Sequence, residues 1–207
     1  VLGQGGPYRA FFSDISRELM THSGQKNDYY PFNLFIPTTN NIHKIGSYRD
    51  LYYINPHSTS MQDLQYYQLI GQLLAMALRT NIIMNINLAP YIWKYLVKES
   101  MTLDDLEMID VNSIQNIIKP LLACENEEEF NQLSSHRYVI TTSDGLVLKD
   151  YNKQVTWSNR QDYISEFLST RYHESSLQLK ALLKGFTSMI PHAAIMLYTW
   201  QELQIKV

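Results

Sequence analysis

The stretch STSMQDLQYYQLIGQLLAMALRT, residues 58–80, constrains the fold more than any other part of the chain. Ser60 and Asp63 have the spacing of a capping box, and Leu64, Tyr67, Ile70, Gly71, Leu74 and Leu78 follow the helical period. Apolar residues occupy more than one face. A helix of that kind has to be covered on several sides, so it is expected at the centre of a domain.

The rest of the chain supplies the cover. A first helix is expected from Pro7 to about Met20, with Phe11, Ile15 and Leu19 as its stripe. Pro90 opens another in APYIWKYLVK, burying Ile92, Tyr95 and Leu96, and Thr102 with Asp105 caps TLDDLEMID. Two short strands are expected in FNLFIPTTNN and YRDLYYINP, each ending at Pro or Asn, with THSGQKNDYYP as a loop before them.

Beyond residue 108 the texture changes. Ile114, Ile117, Ile118, Leu121 and Leu122 share one helical stripe, which Pro120 is expected to kink or end. RYVITTSDGLVLKD reads as two strands around an Asp144-Gly145 turn, and KQVTW as a third. Ser158 with Gln161 is expected to cap NRQDYISEFLSTRYH, which continues as helix through SLQLKALLKGF. The fold class is α+β, mainly α-helical, with a larger subdomain of residues 1–107 and 166–207 and a smaller one of residues 108–165.

Composition narrows the function. With 17 basic and 20 acidic residues the net charge is −3, which offers nucleic acid no general basic surface. Basic runs that would hold an anionic membrane are missing, and so is a long uninterrupted apolar stretch. One cysteine among 207 residues allows no internal disulfide and points to an intracellular, cytoplasmic setting, with the nucleus left open. The 15 tyrosines could suit a binding face, although composition bias is the preferred explanation.

Local chemistry is sparse. GQGG is not followed by the Lys-Ser/Thr of a phosphate loop, so it reads as a turn before a helix. The histidines His22, His43, His57, His136, His173 and His192 show no metal-ligand spacing, and neither metal nor cofactor is expected. The acids of DDLEMID fit an ordinary helix N-terminus. Cys124 could be a thiol nucleophile, but Glu125, Glu127, Glu128 and Glu129 oppose the negative charge of a thiolate.

Several stretches, in order, resemble the HECT family of ubiquitin-protein ligases. They are GQGGPYRAFFSDISRELM, YRDLYYINP followed by LQYYQLIGQLLAMALRT, LAPYIWKYLVKESMTLDDLEMID, VTWSNRQDYISEFLSTRY, LKGFTSMIP and LYTWQELQIKV. The resemblance covers nearly the whole chain, and the subgroup it suggests is HERC-like. It implies an N-lobe that docks a ubiquitin-charged conjugating enzyme, so that a cysteine in a following C-lobe can accept ubiquitin and pass it to a substrate lysine. Aligned on WQELQIKV, the chain is expected to stop at the hinge before that lobe, and to start inside the family domain. The catalytic cysteine would then lie beyond Val207, and the chain alone would be inactive. Protein substrates would be held by regions outside it.

The resemblance maps the conjugating-enzyme groove to Ile114, Ile117, Ile118, Cys124, Tyr138, Ile140 and Tyr163. Ordinary core packing is an equal reading for the isoleucines. For Tyr163 the groove is preferred, with its ring facing a partner. Pro120 in a helix that is usually unbroken, and Cys124 in place of a large aromatic, depart from the family pattern. Tyr66 matches an aromatic of a patch that binds a second ubiquitin non-covalently, though its apolar helix argues for burial. The competing function is a helical protein-interaction module without ubiquitin chemistry.

Overall fold

A computed structural model describes residues 6–20 and 33–207. In chain order, α1 is Gly6–Met20, β1 Phe35–Pro37, α2 Thr39–His43, β2 Tyr52–Ile54, α3 Met61–Thr80, α4 Pro90–Leu96 and α5 Leu103–Ile109. Then come α6 Val111–Ser113, a π-helical segment Ile114–Ile118, α7 Lys119–Ala123 and α8 Glu127–Asn131. The hairpin β3 Arg137–Thr141 and β4 Val147–Gln154 follows, with a 3-10 turn Trp157–Asn159 leading into α9 Arg160–His173. The last helices are α10 Ser176–Met189, α11 His192–Ile195 and α12 Trp200–Lys206. The architecture is α+β and mainly helical, with two small antiparallel sheets, β1-β2 and β3-β4, among the described residues. No helix among them is long and apolar enough to cross a membrane.

These elements form two compact units: residues 1–37, 50–101 and 175–207, and residues 38–49 with 102–174. The second unit is thus wider than the 108–165 expected from the sequence, because Thr38–Arg49 folds with it. Its anchor is Asn40, a buried side chain whose Nδ2 donates to the Glu107 carbonyl at 2.8 Å and whose Oδ1 accepts from Val111 N at 2.8 Å. A carboxamide satisfied on both ends gives a polar residue a reason to be inside.

In the first unit, α3 is capped by Ser60 and Asp63 in a reciprocal box, and buries Tyr67, Ile70, Gly71, Leu73, Leu74, Ala75 and Ala77. Its main partner is α10, and the two backbones meet where neither has a side chain. A Cβ built on Gly71 would stand 2.0 Å from the Leu182 carbonyl oxygen, and one on Gly185 would stand 1.8 Å from that of Gln68. Tyr67 is fully buried and its hydroxyl donates to the Leu34 carbonyl. Burial pushes that phenol far above its ordinary value.

Several local expectations shift. TTNN is not strand: Thr38 accepts from Asn41 N at 3.1 Å and caps α2. KQVTW adds no third strand, since Lys153 and Gln154 end β4. The cap before α9 lies at Thr156, whose N donates to Asn159 Oδ1 at 2.8 Å, because a 3-10 turn precedes the helix. The expected continuous helix after it is two, α9 and α10, separated near Glu174 and Ser175. Pro120 does not end its helix. The turn before it widens, with Lys119 N donating to the Ile114 carbonyl five residues back, and helical backbone runs on to Ala123. A π turn is one of the few ways a helix can absorb a residue that lacks an N–H.

Candidate docking surface

The second unit brings five of the seven mapped residues into its interior. Ile114 and Ile118 lie on the inner side of their helix with Leu121, all essentially without exposure. Asp110 starts that helix, its Oδ1 accepting from Ser113 N at 3.1 Å. The Asp144-Gly145 turn closes the hairpin, with Gly145 at φ +89°, where a side chain would strain the backbone. Strand alternation then sends Tyr138 and Ile140 inward against α9, while β4 is exposed along its whole length.

Tyr163 and Phe167, one turn apart on α9, complete an aromatic cluster. Tyr138 meets Tyr163 edge to face at 5.2 Å and Tyr151 at 4.7 Å, and Tyr163 meets Phe167 at 6.2 Å. Tyr163 is only 4% exposed, which corrects the expectation that its ring faces a partner. The ring is floor, and its removal would reach the fold. Below it, buried Arg171 stacks on Phe167 at 4.9 Å and its Nη2 stands 3.5 Å from Asp110 Oδ2, tying α9 to the start of the isoleucine helix.

What the unit offers outward is different. Ile117 and Cys124 are half-buried, and Leu122 is 46% exposed. The Cys124 thiol donates to the Pro120 carbonyl at 3.2 Å. On the hairpin, Tyr151 is half exposed, and Lys153 Nζ sits 4.6 Å from the Tyr138 ring. The unit thus presents a few part-exposed apolar side chains, Ile117 and Leu122 on the helix and Tyr151 on the hairpin, while most of its aromatic cluster is packed inside.

Glu166 fastens the hairpin to α9. Its carboxylate accepts from Lys149 Nζ at 2.6 Å, Tyr151 Oη at 2.9 Å and Tyr138 Oη at 3.3 Å. Lys149 above all holds this carboxyl below its ordinary value, while burial and then the Glu166 charge push the Tyr138 phenol up to about 12. A carboxyl with its folded value below its unfolded one stabilises the fold when ionised. That contribution is complete above the unfolded value of about 4.3 and is lost as pH falls through the depressed folded value. Glu166→Gln is therefore expected to lower the urea midpoint at pH 7, and the gap to wild type should narrow at pH 3.

Phe167, Tyr151 and Glu166 are candidate site residues that the sequence did not point to, and Leu122 was expected only as part of the helical stripe. The spacing of Tyr163, Phe167 and Arg171, four residues apart, was the available signal for the first. Tyr66 belongs to the first unit. It is half-buried rather than buried, and lines an apolar groove of about 110 Å³ with Ile15, Leu19, Leu34, Leu69 and Ile70. Among the described residues no cluster of side chains could hold a metal ion.

Comparison with known proteins agrees with this architecture. The chain is 28% identical over 205 residues to the E3 ubiquitin-protein ligase HERC2 of Mus musculus, an alignment covering 98% of this chain and 4% of that protein. It is 26% identical over 218 residues to HECW1 of the same species, covering all of this chain and 12% of HECW1. With RSP5 of Chaetomium thermophilum it shares 24% identity over 211 residues, all of this chain and 24% of RSP5. The chain therefore spans a quarter or less of each of these ligases. The sequence profile of the HECT-domain (ubiquitin-transferase) family matches residues 12–207, almost the whole chain, and the chain belongs to that family.

Proposed function

We propose that the chain acts as the N-lobe of a HECT-type ubiquitin-protein ligase, holding a ubiquitin-charged conjugating enzyme so that a cysteine elsewhere in the protein can accept the ubiquitin. The observation that carries this reading is the pair of part-exposed apolar side chains Ile117 and Leu122 in a unit whose aromatic cluster is packed inside. Such a surface suits a protruding hydrophobic loop, because anchors seated on packed, water-free floors dominate interface energy. Cys124 supports a docking role rather than a catalytic one: its thiol donates to a backbone carbonyl, and among the described residues no histidine is hydrogen-bonded to it. Protein substrates would be recruited by other parts of the protein.

The test is a titration of wild type and variants against a panel of ubiquitin-conjugating enzymes. Ile117→Asp and Leu122→Asp should each weaken binding by about 2 kcal/mol, roughly thirtyfold, with little change in melting temperature. No binding by any conjugating enzyme to the wild-type chain would favour an interaction module without ubiquitin chemistry. On the first unit, the groove at Tyr66 is a second proposed surface, for a non-covalently held ubiquitin. Leu69→Asp should remove that contact without affecting the conjugating-enzyme titration.

A further inference from the structure

In the second unit, Phe130 closes α8 and Trp157 opens the 3-10 turn before α9, and their rings meet edge to face at 6.2 Å. With them Asn131, Leu133, Ser134, Ser135, Val155 and Thr156 line an open cavity of about 340 Å³. Its lining mixes the two rings and the aliphatic Leu133 and Val155 with the hydroxyls of Ser134, Ser135 and Thr156 and the amide of Asn131. One charged side chain borders it, the exposed Glu127. Arg160 is not a lining residue, although it is held by Trp157: its guanidinium stands 3.1 Å from the centre of that ring and its Nη1 donates to the Trp157 carbonyl at 2.8 Å. Glu129 is also engaged, accepting from Asn126 Nδ2 at 2.8 Å and from Glu125 N at 3.0 Å. Glu127 makes no hydrogen bond or ion pair among the described residues.

An anion would be repelled at this rim by Glu127. A compact polar ligand would leave the aromatic walls without contact. A long side chain with an apolar stem and a cationic head satisfies both, its methylenes against the rings and its head beside the carboxylate. We propose that this cavity receives a lysine or arginine side chain of the docked conjugating enzyme, which makes it a second, charge-selective contact in addition to Ile117 and Leu122. The cavity lies between the chain segments that carry those side chains and the aromatic cluster: Glu127 is three residues past Cys124, and Trp157 six before Tyr163. The identity of the protein that brings the cation rests on the docking proposal above. The cationic chemistry of the cavity does not.

The two parts separate experimentally. The first probe is the capped tripeptide acetyl-Gly-Lys-Gly-amide, against the same peptide with norleucine for lysine. The readout is the Trp157 indole N–H resonance of the full chain, assigned with Trp157→Phe. The lysine peptide should move it saturably, the norleucine peptide should not, and Glu127→Gln should weaken binding about fivefold, the upper range for one exposed charge pair. Equal shifts from both peptides, or none from either at 10 mM, would overturn the proposal. The second probe is a conjugating enzyme that binds the wild-type chain. Glu127→Gln should weaken it by a similar factor and reduce its salt dependence, and Trp157→Ala should weaken it further. If Ile117→Asp abolishes binding while both pocket variants leave it unchanged, the cavity is outside that interface, and this inference fails while the docking reading survives. If the lysine peptide binds but no conjugating enzyme does, the docking reading fails and takes the named partner with it.

Discussion

Gly185→Ala is expected to destabilise the protein by about 2 kcal/mol or more, although alanine is the better helix former. The added methyl would sit 1.8 Å from the Gln68 carbonyl oxygen, a backbone atom that cannot rotate away. Relief requires α3 and α10 to move apart, and overpacking against backbone falls at the upper end of the usual range of about 1–3 kcal/mol, occasionally beyond it. Better helix propensity returns only about 1 kcal/mol. Gly71→Ala should behave in the same way, because its methyl would stand 2.0 Å from the Leu182 carbonyl. A loss of 2 kcal/mol corresponds to a melting temperature lower by roughly 4–8 °C in a chain of this length. Gly6→Ala is the control, since nothing lies within 4 Å of the position a methyl would take there. The double variant should cost less than the sum, because one separation of the helices relieves both clashes. Unchanged melting in Gly185→Ala would mean that the two helices do not pack this closely.

Tyr163→Ala is expected to reduce stability by about 4 kcal/mol, the usual cost of deleting a large buried aromatic. Its ring contacts Tyr138 and Phe167, so the loss opens a void between the hairpin and α9. Tyr163→Phe keeps the ring and should be close to neutral in a urea unfolding curve. Binding should follow stability here. Tyr163→Phe should bind a conjugating enzyme as wild type does, whereas an anchor acting through its hydroxyl would be weakened by that change. A Tyr163→Ala variant that melts like wild type would return the ring to the surface.

The sequence made much of the fold legible, and the reasons are local. Ser60 with Asp63 and Thr102 with Asp105 form the capping boxes their spacing implied, and Pro90 starts its helix, because such signals depend on three or four neighbouring residues. The α3 pattern announced burial on several faces, which α10 helps provide. What was not legible depends on partners far along the chain. Nothing near Asn40 says that it will bond Glu107 and Val111 and carry Thr38–Arg49 into the second unit. Tyr163 looked like an anchor because a resemblance that maps a position does not say whether its ring faces a partner or packs inside. Glu166 was silent for a similar reason: its donors lie on β3 and β4, fifteen or more residues before it.

The widened turn before Pro120 has a consequence for comparing this chain with its relatives. A hydrogen bond spanning five residues where an α-helix spans four takes up one extra amino acid without adding a turn, the structural trace of a single-residue insertion. Against a relative whose helix is unbroken, an alignment drawn without a gap is in register on one side of Ile114–Ile118 and out by one on the other. One residue is about 100° around a helix of 3.6 residues per turn, enough to exchange an inward position for an outward one. Ile114 opens that segment and Cys124 lies beyond it, so an ungapped transfer of roles places one of them correctly and displaces the other. With the gap restored inside the segment and the upstream side kept in register, the aromatic that Cys124 was thought to replace would fall on Glu125.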